Sequence, residues 1–327
     1  MGKVRTKAPE LKHVTVWHAL LGYWGGMAPQ GAIANTYDTV EIPVVDDTRP
    51  NLPFENKITV VDRNAIRSLY TDFYAFLADA GINGVKTDVQ SFVDILSSAT
   101  ARRSLIYTYL EEWARSSFQH FGNNSISCMS QFPQSLFRIQ MRHDRSPQVM
   151  RNSDDFYPEI EDSHRWHIWA NAYNAIFMQH LNVLPDWDMF QTVHAYSDYH
   201  AAARCVSGGP IYITDTPGEH NIDLIRQISC KTAKNTTVIL RASVLGKAID
   251  PYQEFHANLL LRIGAFHGEF SSLLFENLGA KPQLTFLRCC WNWHTNIGHF
   301  QYFCPKNRGF NPTCRLSWRK PSNSLRC

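Results

Sequence analysis

The feature that most constrains this chain is a rhythm. Short apolar segments end on charge and are followed by helical patterns, at steps of roughly 30 residues. Lys86-Thr87-Asp88 closes one such segment after a turn at Asn83-Gly84; Val85 and Val89 suit a buried strand, whereas Lys86 and Asp88 do not. Val14 and Val16 lead into Trp17 and His18, residues 125–129 form another short segment, and Met150 leads into Arg151-Asn152-Ser153-Asp154-Asp155. Residues 183–190 carry Asp186-Trp187-Asp188, and residues 211–214 run into Asp215. Helical spacing fills the intervals: Ile66, Leu69, Tyr70, Phe73 and Leu77 from a capping Asp62 up to Gly81, then 98–120, 163–180 and 198–206. Gly122 stands just past the second of these helices.

Repeated strand, polar end and helix predict an α/β fold with a parallel sheet. An open doubly wound sheet needs a glycine-rich phosphate turn after its first strand, and Gly22-Tyr23-Trp24-Gly25-Gly26 has neither that spacing nor a basic partner. The expectation is therefore a (β/α)8 TIM-type barrel. About six strands can be counted where closure needs eight, so the barrel is expected to be incomplete at the N-terminus, with its first strands missing. Residues 27–61, with four prolines at 29, 43, 50 and 53, are expected to be loop-rich, and 131–150 irregular. From about 269 the rhythm stops and five of the eight cysteines crowd in. The expected division is a partial barrel over 1–268 and an irregular, poorly ordered tail over 269–327. Cys289, Cys290, His294, His299 and Cys304 match no common zinc spacing, so no metal is expected.

A formal charge of +3 over 327 residues is too small and too evenly spread for a nucleic-acid or anionic-membrane partner. No run of about 18 apolar residues offers a membrane span. The N-terminus lacks the apolar core of a secretory signal, although Gly2 and Thr6 fit the loose myristoylation pattern. Only Cys128, Cys205 and Cys230 precede residue 289, which points to a reducing compartment and a cytoplasmic protein.

Charge at the carboxyl end of a parallel strand marks a ligand site in this architecture. Taken alone, Lys86 and Asp88 are also compatible with a capping aspartate beside a snorkelling lysine. A second acid-bearing segment, Asp154-Asp155, lies two βα units on, which on a barrel puts both acids on one rim with one strand between. Paired carboxylates without a metal cluster are what glycosidic bond chemistry needs. His164 and His167 fall on a helix expected to pack outside, as core or surface histidines, and no nucleophile elbow supports a serine triad.

The ordered blocks Val16-Trp17-His18-Ala19-Leu20, Tyr23-Trp24-Gly25-Gly26, Lys86-Thr87-Asp88-Val89-Gln90, Cys128-Met129-Ser130, Ser153-Asp154-Asp155-Phe156-Tyr157-Pro158, Pro185-Asp186-Trp187-Asp188 and Tyr199-His200-Ala201-Ala202-Ala203-Arg204 resemble the raffinose synthase and seed imbibition protein family. That family belongs to the α-galactosidase-like glycoside hydrolases of family 36. The resemblance runs over about 12–265 and implies a retaining double displacement on an α-galactoside, with no cofactor. Asp88 matches the nucleophile and Asp154 the acid/base, with Asp155 beside it. Lys86 matches the residue that holds galactose hydroxyls, Arg151 the arginine near the 2-hydroxyl, and Trp17, Asp186 and Trp187 the pocket lining. Galactinol, sucrose and raffinose-type α-galactosides are the implied substrates, in transfer or in hydrolysis.

Full members of the family are longer. They carry an N-terminal β-rich domain, two further strands whose acidic segment grips the galactose 4- and 6-hydroxyls, and a C-terminal β-domain where this chain has its cysteine-bearing tail. The alternative expectation is accordingly a truncated, inactive fragment with at most residual sugar binding.

Overall fold

The computed structural model describes residues 2–45, 56–122, 124–232, 234–256, 261–266, 284–292 and 297–302, the last two stretches as backbone strands. The chain forms two compact units. One holds residues 1–151 with 181–183, and the other holds 152–180 with 184–327.

The first unit opens with a short exposed helix α1 (Gly2–Lys7) and strand β1 (Thr15–Ala19). The expected loop-rich excursion contains a one-turn helix α2 (Ala32–Thr36) and an antiparallel ribbon of β2 (Thr39–Pro43) and β3 (Lys57–Val61). Ile42, Ile58, Val60 and Val61 bury this ribbon in the core, while Pro43 ends β2 because it has no N–H for the ladder. Helix α3 (Ile66–Asp79) starts later than its spacing suggested, since Asp62 first closes a tight turn by accepting from the Asn64 N–H at 3.0 Å. The turn after α3 sits at Gly81, with φ of 84°, and not at Asn83-Gly84. Gly84 opens strand β4 (Gly84–Asp88). A Cβ there would lie 2.2 Å from the Asn124 carbonyl oxygen, so glycine is what lets β4 approach its neighbour.

Helix α4 (Ala99–Phe121) begins on Ser98, whose hydroxyl accepts from the Ala101 N–H, and stops at Gly122 with φ of 59°. Strands β5 (Ser125–Ser127) and β6 (Gln148–Arg151) follow. Between them the expected irregular stretch contains a helical turn α5 (Pro133–Ser135), which widens into a π-type turn over Leu136–Gln140. These strands form a parallel sheet in the order β1, β4, β5, β6, so β5 does stand between β4 and β6. The order continues with β7 (Val183–Asp186), whose first residue belongs to this unit. The expected α/β class with a parallel sheet is present. Ala19 and Val85 of the sheet, the β2–β3 ribbon and the apolar faces of α3 and α4, with Tyr74, Tyr109 and Trp113 fully buried, make one core.

The second unit carries helix α6 (Glu161–Met178), the rest of β7, and helices α7 (Ser197–Ser207) and α8 (Ile222–Gln227). Helix α7 ends on Gly208 with φ of 81°. Residues 187–190, expected to prolong the strand, leave it when Asp188 turns left-handed at φ of 60°. The strand expected at 211–214 is reduced to a single parallel bridge between Phe190 and Ile213. A small antiparallel ribbon pairs β8 (Ser229–Lys231) with β9 (Thr237–Ile239). A second antiparallel sheet runs β10 (Lys247–Ala248), β11 (Arg262–Phe266), β12 (Leu284–Asn292) and β13 (Ile297–Tyr302). Regular strands therefore occur inside the stretch expected to be an irregular tail. Two runs rich in apolar, aromatic and threonine residues, only 293–296 apart, can pair as a local hairpin. The rest of that tail, and the side chains of Cys289, Cys290, His294, His299 and Cys304, lie outside the described residues. Among the described residues no helix is long and apolar enough to cross a membrane.

Candidate active site

In the first unit the register gathers the candidate residues. Trp17 pairs with Lys86 and Ala19 with Asp88 across β1 and β4, Lys86 pairs with Ile126 of β5, and Ile126 pairs with Val149 of β6. Because side chains alternate, Trp17, Lys86, Asp88 and Arg151 fall on one face of the sheet, together with Cys128 just past β5. The other face carries His18, Thr87, Ser127 and Met150 and packs on helices α3 and α4.

The Asp88 carboxylate is held at both oxygens. Its Oδ2 accepts from the Trp17 indole N–H at 3.0 Å, and its Oδ1 accepts from the Val89 backbone N–H at 2.7 Å. Cys128 lies on the same face, and the Asp88 charge helps keep its thiol protonated. Val89 delivers its N–H by taking φ of 58°, a left-handed conformation that is costly for a β-branched residue. Met129, next to Cys128, does the same at φ of 46°, and its carbonyl accepts from the Ser91 N–H at 2.8 Å. The chain thus bends sharply at two adjacent strand ends to aim polar groups at one spot.

Burial raises the Cys128 thiol to about 12, with the Arg151 and Lys86 charges pulling the other way and Asp88 reinforcing it. Both cations therefore act on the space beside Asp88. Asp88 and Arg151 are buried, Lys86 is half-buried, and Trp17 keeps 40 % of its surface exposed with its ring edge-on to Tyr23 at 5.9 Å. An ionisable carboxylate beside two cations, with an accessible indole on the same face, is suited to a neutral polyhydroxylated ligand that offers an apolar ring face and a reacting carbon.

The reverse face fixes this arrangement. His18 Nδ1 donates to the Ala19 carbonyl at 3.0 Å, so Nε2 is the acceptor for the Tyr74 and Thr87 hydroxyls at 2.8 and 3.0 Å. The Trp113 indole donates to Thr87 at 2.8 Å. Burial lowers His18 to about 4, so it is neutral across the physiological range.

In the second unit Asp154 and Asp155 lie exposed on the loop that follows β6. The loop is tied down nearby: Ser153 accepts from the Asn171 amide at 3.0 Å, and the Phe156 N–H donates to Asp188 at 2.8 Å. Asp186 is fully buried and accepts from the Asp188 N–H at 2.8 Å and from the Tyr212 hydroxyl at 2.9 and 3.0 Å. Trp187 is also fully buried, packed with Ile168, Ala172 and Tyr199 in the core of this unit. His164 and His167 are core residues.

A family model described as raffinose synthase or seed imbibition protein Sip1 matches residues 1–250. The chain belongs to that family.

Its curated relatives in the raffinose synthase family include probable galactinol–sucrose galactosyltransferase 6 of Arabidopsis thaliana, 35% identical over 253 residues, which cover 75% of this chain and 32% of that protein. Probable galactinol–sucrose galactosyltransferase 1 of the same plant is 36% identical over 248 residues, covering 72% and 32%. Stachyose synthase of Pisum sativum is 30% identical over 243 residues, covering 69% and 28%. The chain thus spans about a third of the length of the relatives it matches. Among solved structures, the GH27 β-L-arabinopyranosidase of Geobacillus stearothermophilus aligns with a TM-score of 0.43 and 12% identity, covering 76% of this chain and 54% of that one.

Several residues around the raffinose synthase motifs gain a role only from the structure. Cys128 was visible in a block but carried no assignment, and its thiol is kept protonated by burial and by the Asp88 charge. Asp188 and Tyr212 hold Asp186, and the spacing of Asp186 and Asp188 was the available signal. His18 needed the partners on α3 and α4, which no local pattern announces.

Proposed function

We propose that this chain carries the galactosyl-processing chemistry of the raffinose synthase type, galactosyl transfer from galactinol to sucrose or hydrolysis of α-galactosides such as raffinose. In the proposed retaining double displacement, Asp88 attacks the anomeric carbon of the galactosyl group while Asp154 gives its proton to the departing oxygen. Asp154 then takes a proton from the acceptor hydroxyl as that oxygen displaces Asp88. A sucrose hydroxyl in this second step gives transfer, and water gives hydrolysis.

Lys86 and Arg151 are proposed to bind galactose hydroxyls and Trp17 to stack on the ring; Asp155, Asp186 and Trp187 are the further residues proposed for substrate binding. The proposed scaffold is a partial (β/α)8 barrel over 1–268, and the proposed setting is cytoplasmic. A buried, free Cys128 is compatible with that setting.

The observation that carries the reading is the hold on Asp88. An indole N–H and a backbone N–H fix both carboxylate oxygens, on a sheet face shared with Lys86 and Arg151. A capping aspartate needs none of that company.

The test uses the full chain with galactinol and sucrose, and separately with raffinose, reading raffinose formation and galactose release. A fluorinated α-galactosyl substrate that stalls the glycosyl-enzyme, followed by peptide mapping, should label Asp88. Asp88→Asn should lower turnover by roughly a thousandfold or more. Full activity in that variant would remove Asp88 from its role. Sugar binding without turnover in the native chain would favour a binding-only fragment.

A further inference from the structure

The second unit contains a buried polar chain that ends on the Asp154 loop. Arg204 on α7 is fully buried. Its guanidinium donates to the Asp188 carbonyl at 3.3 Å, to the Met189 carbonyl at 2.8 Å, and to His200 Nδ1 at 2.6 Å. His200 Nε2 lies 2.8 Å from His164 Nδ1, and His164 Nε2 lies 3.0 Å from the Pro158 carbonyl.

The protons follow from the two ends. A carbonyl only accepts, so His164 Nε2 carries hydrogen and its Nδ1 is an acceptor. His200 Nε2 must then donate, leaving its Nδ1 to accept from a guanidinium that can only donate. Every link is satisfied in one direction, with both imidazoles neutral. Burial lowers the proton affinity of both, and for His200 the Arg204 charge adds to it.

The chain terminates where the loop needs holding. Pro158 closes Ser153-Asp154-Asp155-Phe156-Tyr157-Pro158, and the Phe156 ring stands 4.4, 5.2 and 5.3 Å from the rings of His200, His167 and His164, with the Arg204 guanidinium 5.6 Å away. Phe156 and Pro158 are pinned, while Asp154, Asp155 and Tyr157 stay exposed. Packing alone would be served by apolar side chains, since burying a guanidinium and two imidazoles requires each polar atom to be matched.

We infer that Arg204, His200 and His164 form a positioning relay that holds the Asp154 loop in the geometry its proton transfer requires. This inference rests on Asp154 being the acid/base. None of the three touches the substrate in this scheme; they act through the loop. An acid displaced by about 1 Å loses roughly a hundredfold in rate.

The test compares His200→Phe, which fills the space but breaks the chain at both sides, with His200→Gln, which keeps an acceptor and a donor. In hydrogen exchange on the full chain, peptides covering 152–160 should exchange about tenfold faster or more in His200→Phe, with partial recovery in His200→Gln and unchanged protection in α4. Kinetically, His200→Phe should lose roughly a hundredfold on raffinose but less than tenfold on p-nitrophenyl α-galactoside, whose leaving group departs without a proton. A general packing defect lowers both alike. Asp154→Ala separates the two claims: if it shows no such leaving-group dependence, the acid/base assignment fails. If it does and His200→Phe does not, the relay fails. Should His200→Phe not fold, Arg204→Lys is read the same way, because a lysine cannot reach three acceptors. Unchanged exchange of the loop in the folded variant overturns the relay whatever the activity.

Discussion

Acidification should destabilise the first unit through His18. The imidazole binds its proton at about 4 in the fold, against 6.5 in the unfolded chain, because burial penalises the cation and Nε2 is committed as an acceptor to Tyr74 and Thr87. Between these values the unfolded chain holds the extra proton, so stability rises with pH across the window. The contribution is fully present above about 6.5 and is lost as pH falls towards about 4. At about 1.4 kcal/mol per pH unit the loss amounts to about 3 kcal/mol. The assay is urea unfolding at pH 7, 5.5 and 4, followed by hydrogen exchange in peptides from β1 and β4, for the native chain and for His18→Gln. Glutamine removes the titration, so the stability difference between the two proteins should shrink by about 3 kcal/mol from pH 7 to 4. His164 and His200 titrate in both proteins and cancel. Equal pH slopes, or a His18 ring signal titrating near 6.5, would refute the reasoning.

Three further outcomes follow from the same geometry. Gly84→Ala places a Cβ 2.2 Å from the Asn124 carbonyl and should cost more than about 2 kcal/mol in urea unfolding; a change under about 0.5 kcal/mol would mean the strands do not approach so closely. Trp17→Phe removes the indole donor 3.0 Å from Asp88 and should lower kcat for the proposed galactosyl transfer about ten- to a hundredfold, the worth of a hydrogen bond to a charged group, with KM changing far less. Cys128, buried and raised to about 12, should resist iodoacetamide at pH 8 while exposed Cys230 reacts, as read by peptide mass mapping. Alkylation of both at the same rate would contradict the burial of Cys128.

Much of the architecture was legible because it is local. Apolar spacing placed α3 and α4, Ser98 and Gly122 marked the ends of α4, and the alternation Val85, Lys86, Thr87, Asp88 put a lysine and an aspartate on one side of a strand. Elements were missed where local signals were weak or overridden. The proline-rich excursion hides a ribbon that exists because Ile42, Ile58 and Val60 reach a core built by other segments. The strand expected at 211–214 keeps one bridge, since Asp188 has already turned the preceding chain away.

The sequence by itself determined the family, the alternation of the parallel strands with α3, α4, α6 and α7, and the charged residues at the strand ends, because each is written in neighbouring residues. The tertiary structure decided which of those residues meet. Trp17 and Arg151 share a face with Asp88 only through the register of β1, β4, β5 and β6, and a slip of one residue would turn any of them to the opposite side. His18 and the relay from Arg204 to Pro158 acquire their protonation from burial and from partners brought by other helices. A hydrogen-bonding role depends on distance and solvent exclusion, and neither is a property of the residue alone.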